Sequence, residues 1–174
     1  RPRLSLKKFW LADAASDLDI APFILEKGRL HLPENRRFRD DLDQIVQLFN
    51  FALIHELDIH PDTLRRLTRA VRAARTAQLQ TAQTHEIFLQ IISGKGNPER
   101  VLRLMNESGW LGIYMPDFGR IVGMMQFDMY HSYTVDEHSL RAVGIMREIE
   151  QGKLADVAPL ASQLIHEISS RRAL

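Results

Sequence analysis

Apolar residues recur along most of the chain at steps of three and four, the spacing that lines one face of a helix. From Phe38, the positions Leu42, Ile45, Phe49, Ala52 and Leu53 predict a long helix reaching about His55. His60-Pro61-Asp62 restarts the chain, because proline belongs in a first helical turn and aspartate suits the positive helix end. The helix that follows carries Leu64, Leu67, Val71 and Ala74 on one side. A third, about Thr84 to Ser93, buries Ile87, Phe88 and Ile91 and ends at the turn Gly94-Lys95-Gly96. A fourth opens at Asn97-Pro98, carries Val101, Leu102, Leu104 and Met105, and stops at Gly109. Thr134-Val135-Asp136-Glu137 has capping-box spacing and predicts a helix from Thr134 to about Gln151-Gly152. A last helix follows Pro159, with Leu160, Leu164 and Ile168 on one line and Ala161 and Ile165 beside it.

Two stretches depart from this pattern. Phe23 to Leu32 reads as two short extended runs around Lys27-Gly28, a small hairpin. Met115-Pro116-Asp117-Phe118-Gly119 is turn-like, and the Met- and aromatic-rich run after it, Met124 to Tyr130, reads as core or an interdomain surface rather than a cofactor box. The expected fold is all-α, a helical bundle with one small β-hairpin near residues 23–32. The expected division is 1–112 and 113–174.

Composition narrows the classes. A chain of 174 residues can bury a core without a metal or disulfide staple. The absence of cysteine excludes a disulfide framework, a thiolate metal site and a cysteine nucleophile. With 23 basic against 22 acidic side chains there is no global field for nucleic acid or an anionic membrane, so any electrostatic partner must be read from local clusters. No run approaches the roughly 20 apolar residues that cross a bilayer, and the expected compartment is the cytoplasm. The chain lacks an initiator methionine and stops at Arg171-Arg172-Ala173-Leu174 straight after a helix-like run, so it is expected to be a piece of a longer protein.

Complete catalytic patterns are absent: there is no zinc-protease helix motif, no phosphate-cradling glycine loop and no serine elbow. The informative residue is His138. It shares a helical stripe with Ala142, Ile145 and Ile149, which predicts an inward-pointing imidazole. Such a ring needs partners, either a carbonyl or carboxylate or a metal ion, and periodicity alone leaves both open. His131 precedes the helix and reads as a surface or interface residue, while capping and the helix dipole account for Asp136 and Glu137. Arg65, Arg69 and Arg72, with Arg66 and Arg75 beside them, form a basic face opposite Leu64, Leu67 and Val71. That face is either solvated or a phosphate, RNA or acidic-partner contact; no aromatic residues interleave with the arginines to stack bases.

The segment from Phe118 to Arg141, including Met124-Met125-Gln126-Phe127-Asp128-Met129-Tyr130-His131-Ser132-Tyr133 and Thr134-Val135-Asp136-Glu137-His138, resembles the bacterial bifunctional uridylyltransferase/uridylyl-removing enzymes, their alphaproteobacterial members most of all. Phe9-Trp10-Leu11-Ala12-Asp13 and Asp58-Ile59-His60-Pro61 look like the helical region of the same family. The resemblance implies a parent enzyme that transfers UMP from UTP to a tyrosine of the nitrogen-signalling protein PII, removes it with an HD-type phosphohydrolase domain, and responds to glutamine. It implies Mg²⁺ or another divalent cation in that parent, and His138 as the first ligand of the HD site. The His-Asp dyad of that class is absent from these residues and expected just past Leu174, and the nucleotidyltransferase motifs are expected upstream of Arg1. The chain is therefore expected to be the helical connector plus the start of an HD domain, inactive by itself and without a stoichiometric metal, with nucleic acid and membrane not among its partners.

Overall fold

The computed structural model describes residues 18–94, 96–124 and 133–168. Its first element is the hairpin anticipated from the sequence: β1 (Ile24–Glu26) pairs antiparallel with β2 (Arg29–His31). Lys27 and Gly28 both adopt positive φ, 52° and 74°, the backbone that a two-residue hairpin turn demands. A third strand that the sequence did not suggest, β3 (Asp58–Ile59), runs parallel to β2 and completes a small sheet in the order β1-β2-β3.

Helices supply the rest. The long helix expected from Phe38 is broken into a 3-10 turn, Phe38–Asp40, and α1, Asp43–Ile54. Helix α2, Pro61–Ala73, starts where the proline and aspartate predict, with the His60 Nδ1 accepting from the Asp62 N–H at 3.3 Å. A short turn of helix, α3 (Thr76–Leu79), leads to α4 (Ala82–Ser93), whose Thr84 N–H is capped by the Thr81 hydroxyl at 3.0 Å. Helix α5, Glu99–Glu107, follows Asn97, which accepts from the Glu99 N–H at 2.9 Å. The stretch read as a turn is instead helical: α6 (Trp110–Tyr114) and α7 (Pro116–Ile121) meet at a one-residue corner, Met115. Glycine makes that corner possible, since Gly112 and Gly119 face each other so closely that a Cβ on Gly119 would stand 2.7 Å from the Gly112 carbonyl oxygen. Helix α8 spans Val135–Glu150 and α9 spans Pro159–Leu164. The fold is mostly helical with a small sheet. Among the described residues no helix is long and apolar enough to cross a membrane.

One apolar cluster runs through these elements. Helix α1 is its axis, with Ile45, Val46, Leu48, Phe49 and Ala52 fully buried against α4 and α5. Phe88, Trp110 and Tyr114 close one end, the last two stacked with centroids 4.5 Å apart. Leu140 of α8 reaches the same cluster. Polar ties set the angles between elements: Asp43, at the start of α1, accepts from the hydroxyls of Thr81 (2.8 Å) and Thr84 (2.7 Å), and Arg100 donates to the Ala52 and Leu57 carbonyls at the other end of α1. Thr63, wholly buried, accepts from the Leu32 N–H at 3.0 Å and lies 3.1 Å from His31 Nδ1, which joins α2 to the strand β2.

Candidate functional site

Helix α8 carries the residue singled out for metal chemistry, and it is fastened to α5 through polar groups. Glu99 sits between Arg103 (3.0 Å) and Arg141 (2.8 Å), and Arg103 also pairs with Glu137. Burial would raise the Glu99 carboxyl, but the two guanidinium groups outweigh it and hold it below its ordinary range. At the start of α8, Asp136 is buried and accepts from Asn106 Nδ2 (2.7 Å) and from the Gly123 N–H (3.1 Å). Here too burial alone would raise the carboxyl, and hydrogen bonds from Thr134, Asn106 and Gly123 bring it below the ordinary value.

These ties correct two expectations. The capping box is not formed: Thr134 makes no side-chain cap, and Glu137 turns away from the helix end toward Arg103. His138 does not point inward. The buried positions of α8 are Asp136, Leu140, Gly144 and Ile149, whereas His138 and Ala142 are exposed and Ile145 is 37% exposed. The packed side carries Leu140 into the apolar core and sets Gly144 against α5, where its missing side chain lets Glu99 lie directly on the helix backbone. The line Leu160, Leu164 and Ile168 is likewise exposed, with Ile165 the buried member of that region.

The His138 imidazole has no hydrogen-bond partner among the described residues, in contrast to His31, whose Nδ1 meets Thr63 and whose Nε2 lies 3.7 Å from Glu26. As a cation site the local donor set is incomplete. Asp136 is engaged by Asn106 and Gly123, Glu137 by Arg103, and among the described residues no three histidine or carboxylate side chains converge on one point. A single imidazole is one donor, and a hard divalent cation requires several. His131 and the run Met125 to Tyr130 lie outside the described residues, as do Phe9 to Asp13 and Lys95.

The basic face of α2 is divided by the structure. Arg65 pairs with Asp62 at 3.0 Å. Arg66 turns inward and donates to the carbonyls of Leu32 (2.6 Å), Pro33 (3.1 Å) and Arg36, so it serves the fold. Arg72 is exposed and is not part of the cleft that Arg69 lines. Arg69 opens into a cleft of about 590 Å³ between α2 and the segment after β2, where it meets Arg36, Arg37 and Arg39. Sequence reasoning missed those three; the run Arg36-Arg37-Phe38-Arg39 was the available signal. A second, more apolar cavity of about 620 Å³ borders His85 and Tyr114, whose ring nitrogen and hydroxyl are 2.5 Å apart and whose phenol is raised by burial.

Comparisons with known proteins agree with this architecture's sequence. The family model described as "Uridylyltransferase GlnD third domain" matches residues 23–114, upstream of the segment on which the resemblance chiefly rested. The chain is 43% identical over 164 residues to the bifunctional uridylyltransferase/uridylyl-removing enzyme of Azospirillum brasilense, covering 94% of this chain and 18% of that protein. To the enzymes of the same name from Rhodospirillum rubrum and Novosphingobium aromaticivorans it is 42% and 41% identical, over 90% and 89% of this chain and 17% of each relative. No solved structure matches. The chain thus spans less than a fifth of the length of these relatives. With more than half of its length, the hairpin through α6, matched by one family model, this chain belongs to the uridylyltransferase GlnD third-domain family.

Proposed function

We propose that the chain is the helical middle of a bifunctional enzyme that attaches UMP to a tyrosine of the PII signal protein and removes it again in response to glutamine, and that it holds the first helix of the uridylyl-removing site in a fixed orientation. The observation that carries this reading is the polar fastening of α8 to α5: Glu99, Arg103, Glu137 and Arg141 in one ion-pair network, and Asn106 with Asp136 beside it. Side chains locked in this way give a helix one orientation rather than several, as a catalytic platform requires. His138 leaves that helix on an exposed side, its ring without a hydrogen-bond partner among the described residues.

In the intact enzyme His138 would be one ligand of a divalent cation such as Mg²⁺, the remaining ligands coming from outside these residues. When bound, the cation would polarise a uridylyl-tyrosine phosphodiester toward hydrolysis. The chain's own part is to position the imidazole. Among the described residues no metal-holding cluster of histidine and carboxylate side chains forms, and the chain by itself is proposed to be inactive. This role for His138 rests on the family resemblance and on the ring's availability, not on burial. The alternative, a surface histidine without function, is separated from it by replacing His138 with alanine in the full-length enzyme and measuring both reactions. Loss of uridylyl removal with UMP transfer retained supports the proposal; retention of both activities rejects it.

A further inference from the structure

We propose that the cleft between α2 and residues 34–39 is an anion site for a compact polyphosphate group. Five guanidinium groups line it, from Arg36, Arg37, Arg39, Arg66 and Arg69, against two carboxylates, Glu34 and Asp62. Asp62 is already engaged, 3.0 Å from Arg65 and 3.8 Å from Arg66. Arg36, Arg37, Arg39 and Arg69 have no ion-pair partner among the described residues and are exposed toward the cleft. Holding four unpaired cations together costs electrostatic energy that a bound polyanion would remove. The chain as a whole carries a net charge of only +1, so this concentration is local.

The cleft's wall is built rather than accidental. The Arg66 guanidinium donates to three backbone carbonyls, of Leu32, Pro33 and Arg36, which fixes the path of the segment that carries Arg36, Arg37 and Arg39 opposite α2. Phe38, between those arginines, is 2% exposed and anchors the same segment in the core. Its burial also decides the kind of ligand. Single-stranded RNA is held by exposed aromatic rings that stack its bases, and the lining offers none. What remains is a concave pocket of about 590 Å³ with forked donors on two sides, the size and chemistry for a chain of two or three phosphates, free or as the tail of a nucleotide.

Hydrogen exchange read by mass spectrometry on the full-length protein tests this with inorganic tripolyphosphate as the probe. The readout is local, so polyphosphate taken up elsewhere in the protein does not register in the peptides covering 34–41 and 64–73. Saturable slowing of exchange in both peptides is expected, weakening as salt rises, and the apparent Kd should rise at least about tenfold in Arg37→Glu/Arg69→Glu. Arg36→Gln/Arg39→Gln, milder and also outside the core, gives the same direction should the charge reversal disturb folding. A nucleoside triphosphate that protects as well as tripolyphosphate, or better, supports the proposal and tells whether the base is read. No slowing at millimolar tripolyphosphate, equal slowing in both variants, or slowing by an oligonucleotide or an acidic peptide alone would overturn it. This site and the role of His138 stand or fall separately.

Discussion

Replacing Gly144 by alanine gives a signed test of how α8 is held. In an ordinary helix interior this change stabilises by roughly 0.8–1 kcal/mol, because glycine has more conformational freedom to lose. Here a methyl at position 144 would overlap the Glu99 Oε2 and stand 3.0 Å from its Cδ and 3.1 Å from its Cβ, so the carboxylate must swing away and the two helices must part slightly at the Cβ. Glu99 then leaves Arg103 and Arg141, the latter half-exposed and therefore partly screened. Overpacking generally costs about 1–3 kcal/mol. With the lost ion pairs added and the helix gain subtracted, the net expectation is a destabilisation of about 1–2 kcal/mol. For a chain of this length that lowers Tm by about 2–8 °C. The assay is thermal unfolding of four proteins: the parent chain, Gly144→Ala, Glu99→Ala and the double variant. In the Glu99→Ala background the clash is gone, and Gly144→Ala should stabilise by about 0.5–1 kcal/mol, a reversal of sign that additive sites do not show. If Gly144→Ala alone raises Tm, or has the same effect in both backgrounds, the packing of Glu99 on the α8 backbone is wrong.

Further outcomes follow from the same geometry. Asp136→Ala leaves the Asn106 amide and the Gly123 N–H without their acceptor and should cost about 1–3 kcal/mol in denaturant unfolding; a change within 0.5 kcal/mol would contradict the role given to it. Glu99 and Asp136 are both held below their ordinary values of 4.5 and 3.8, so the stability they contribute is complete above those values and is lost as pH falls through the lower folded-state range. Unfolding free energy measured from pH 7 to pH 2 should decline less steeply in Glu99→Gln/Asp136→Asn than in the parent, and parallel curves would count against it. Thr63→Val keeps the shape but strands the buried Leu32 N–H and the His31 Nδ1, so a loss of about 1–3 kcal/mol is expected, whereas Thr63→Ser should restore most of it.

Local signals were legible in the sequence where one residue's chemistry decides the backbone. Lys27-Gly28 announced the hairpin turn and His60-Pro61-Asp62 the start of α2; Thr134 marked the right place for the start of α8, although its side chain makes no cap there. The strand β3 was not legible, since two residues, Asp58 and Ile59, pair with β2 only through tertiary placement. Residues 116–121 read as a turn because Pro116 and Gly119 are turn formers, yet proline also opens a helix and Gly119 is needed for its contact with Gly112. The facing of α8 was misread for a related reason. Periodicity takes apolar residues as the inward mark, and His138, Ala142, Ile145 and Ile149 satisfied it. Of these only Ile149 is buried; the packed side runs through Asp136, Leu140, Gly144 and Ile149, and Asp136 and Gly144 meet Asn106 and Glu99 on another helix thirty to forty-five residues away. The arginine cleft was half-legible: Arg69 was in view on its helix, but Arg36, Arg37 and Arg39 join it only through the inward turn of Arg66.

The claim at the centre of this account is that α8 offers His138 to a cation held jointly with residues outside the chain. Mn²⁺ titration of the full-length enzyme, followed by electron paramagnetic resonance, measures it directly in the parent and in His138→Ala, with His166→Ala as a control for a solvent-facing histidine. The account predicts that one class of sites is weakened at least about tenfold in His138→Ala and is unchanged in the control. Identical isotherms for all three proteins would contradict it.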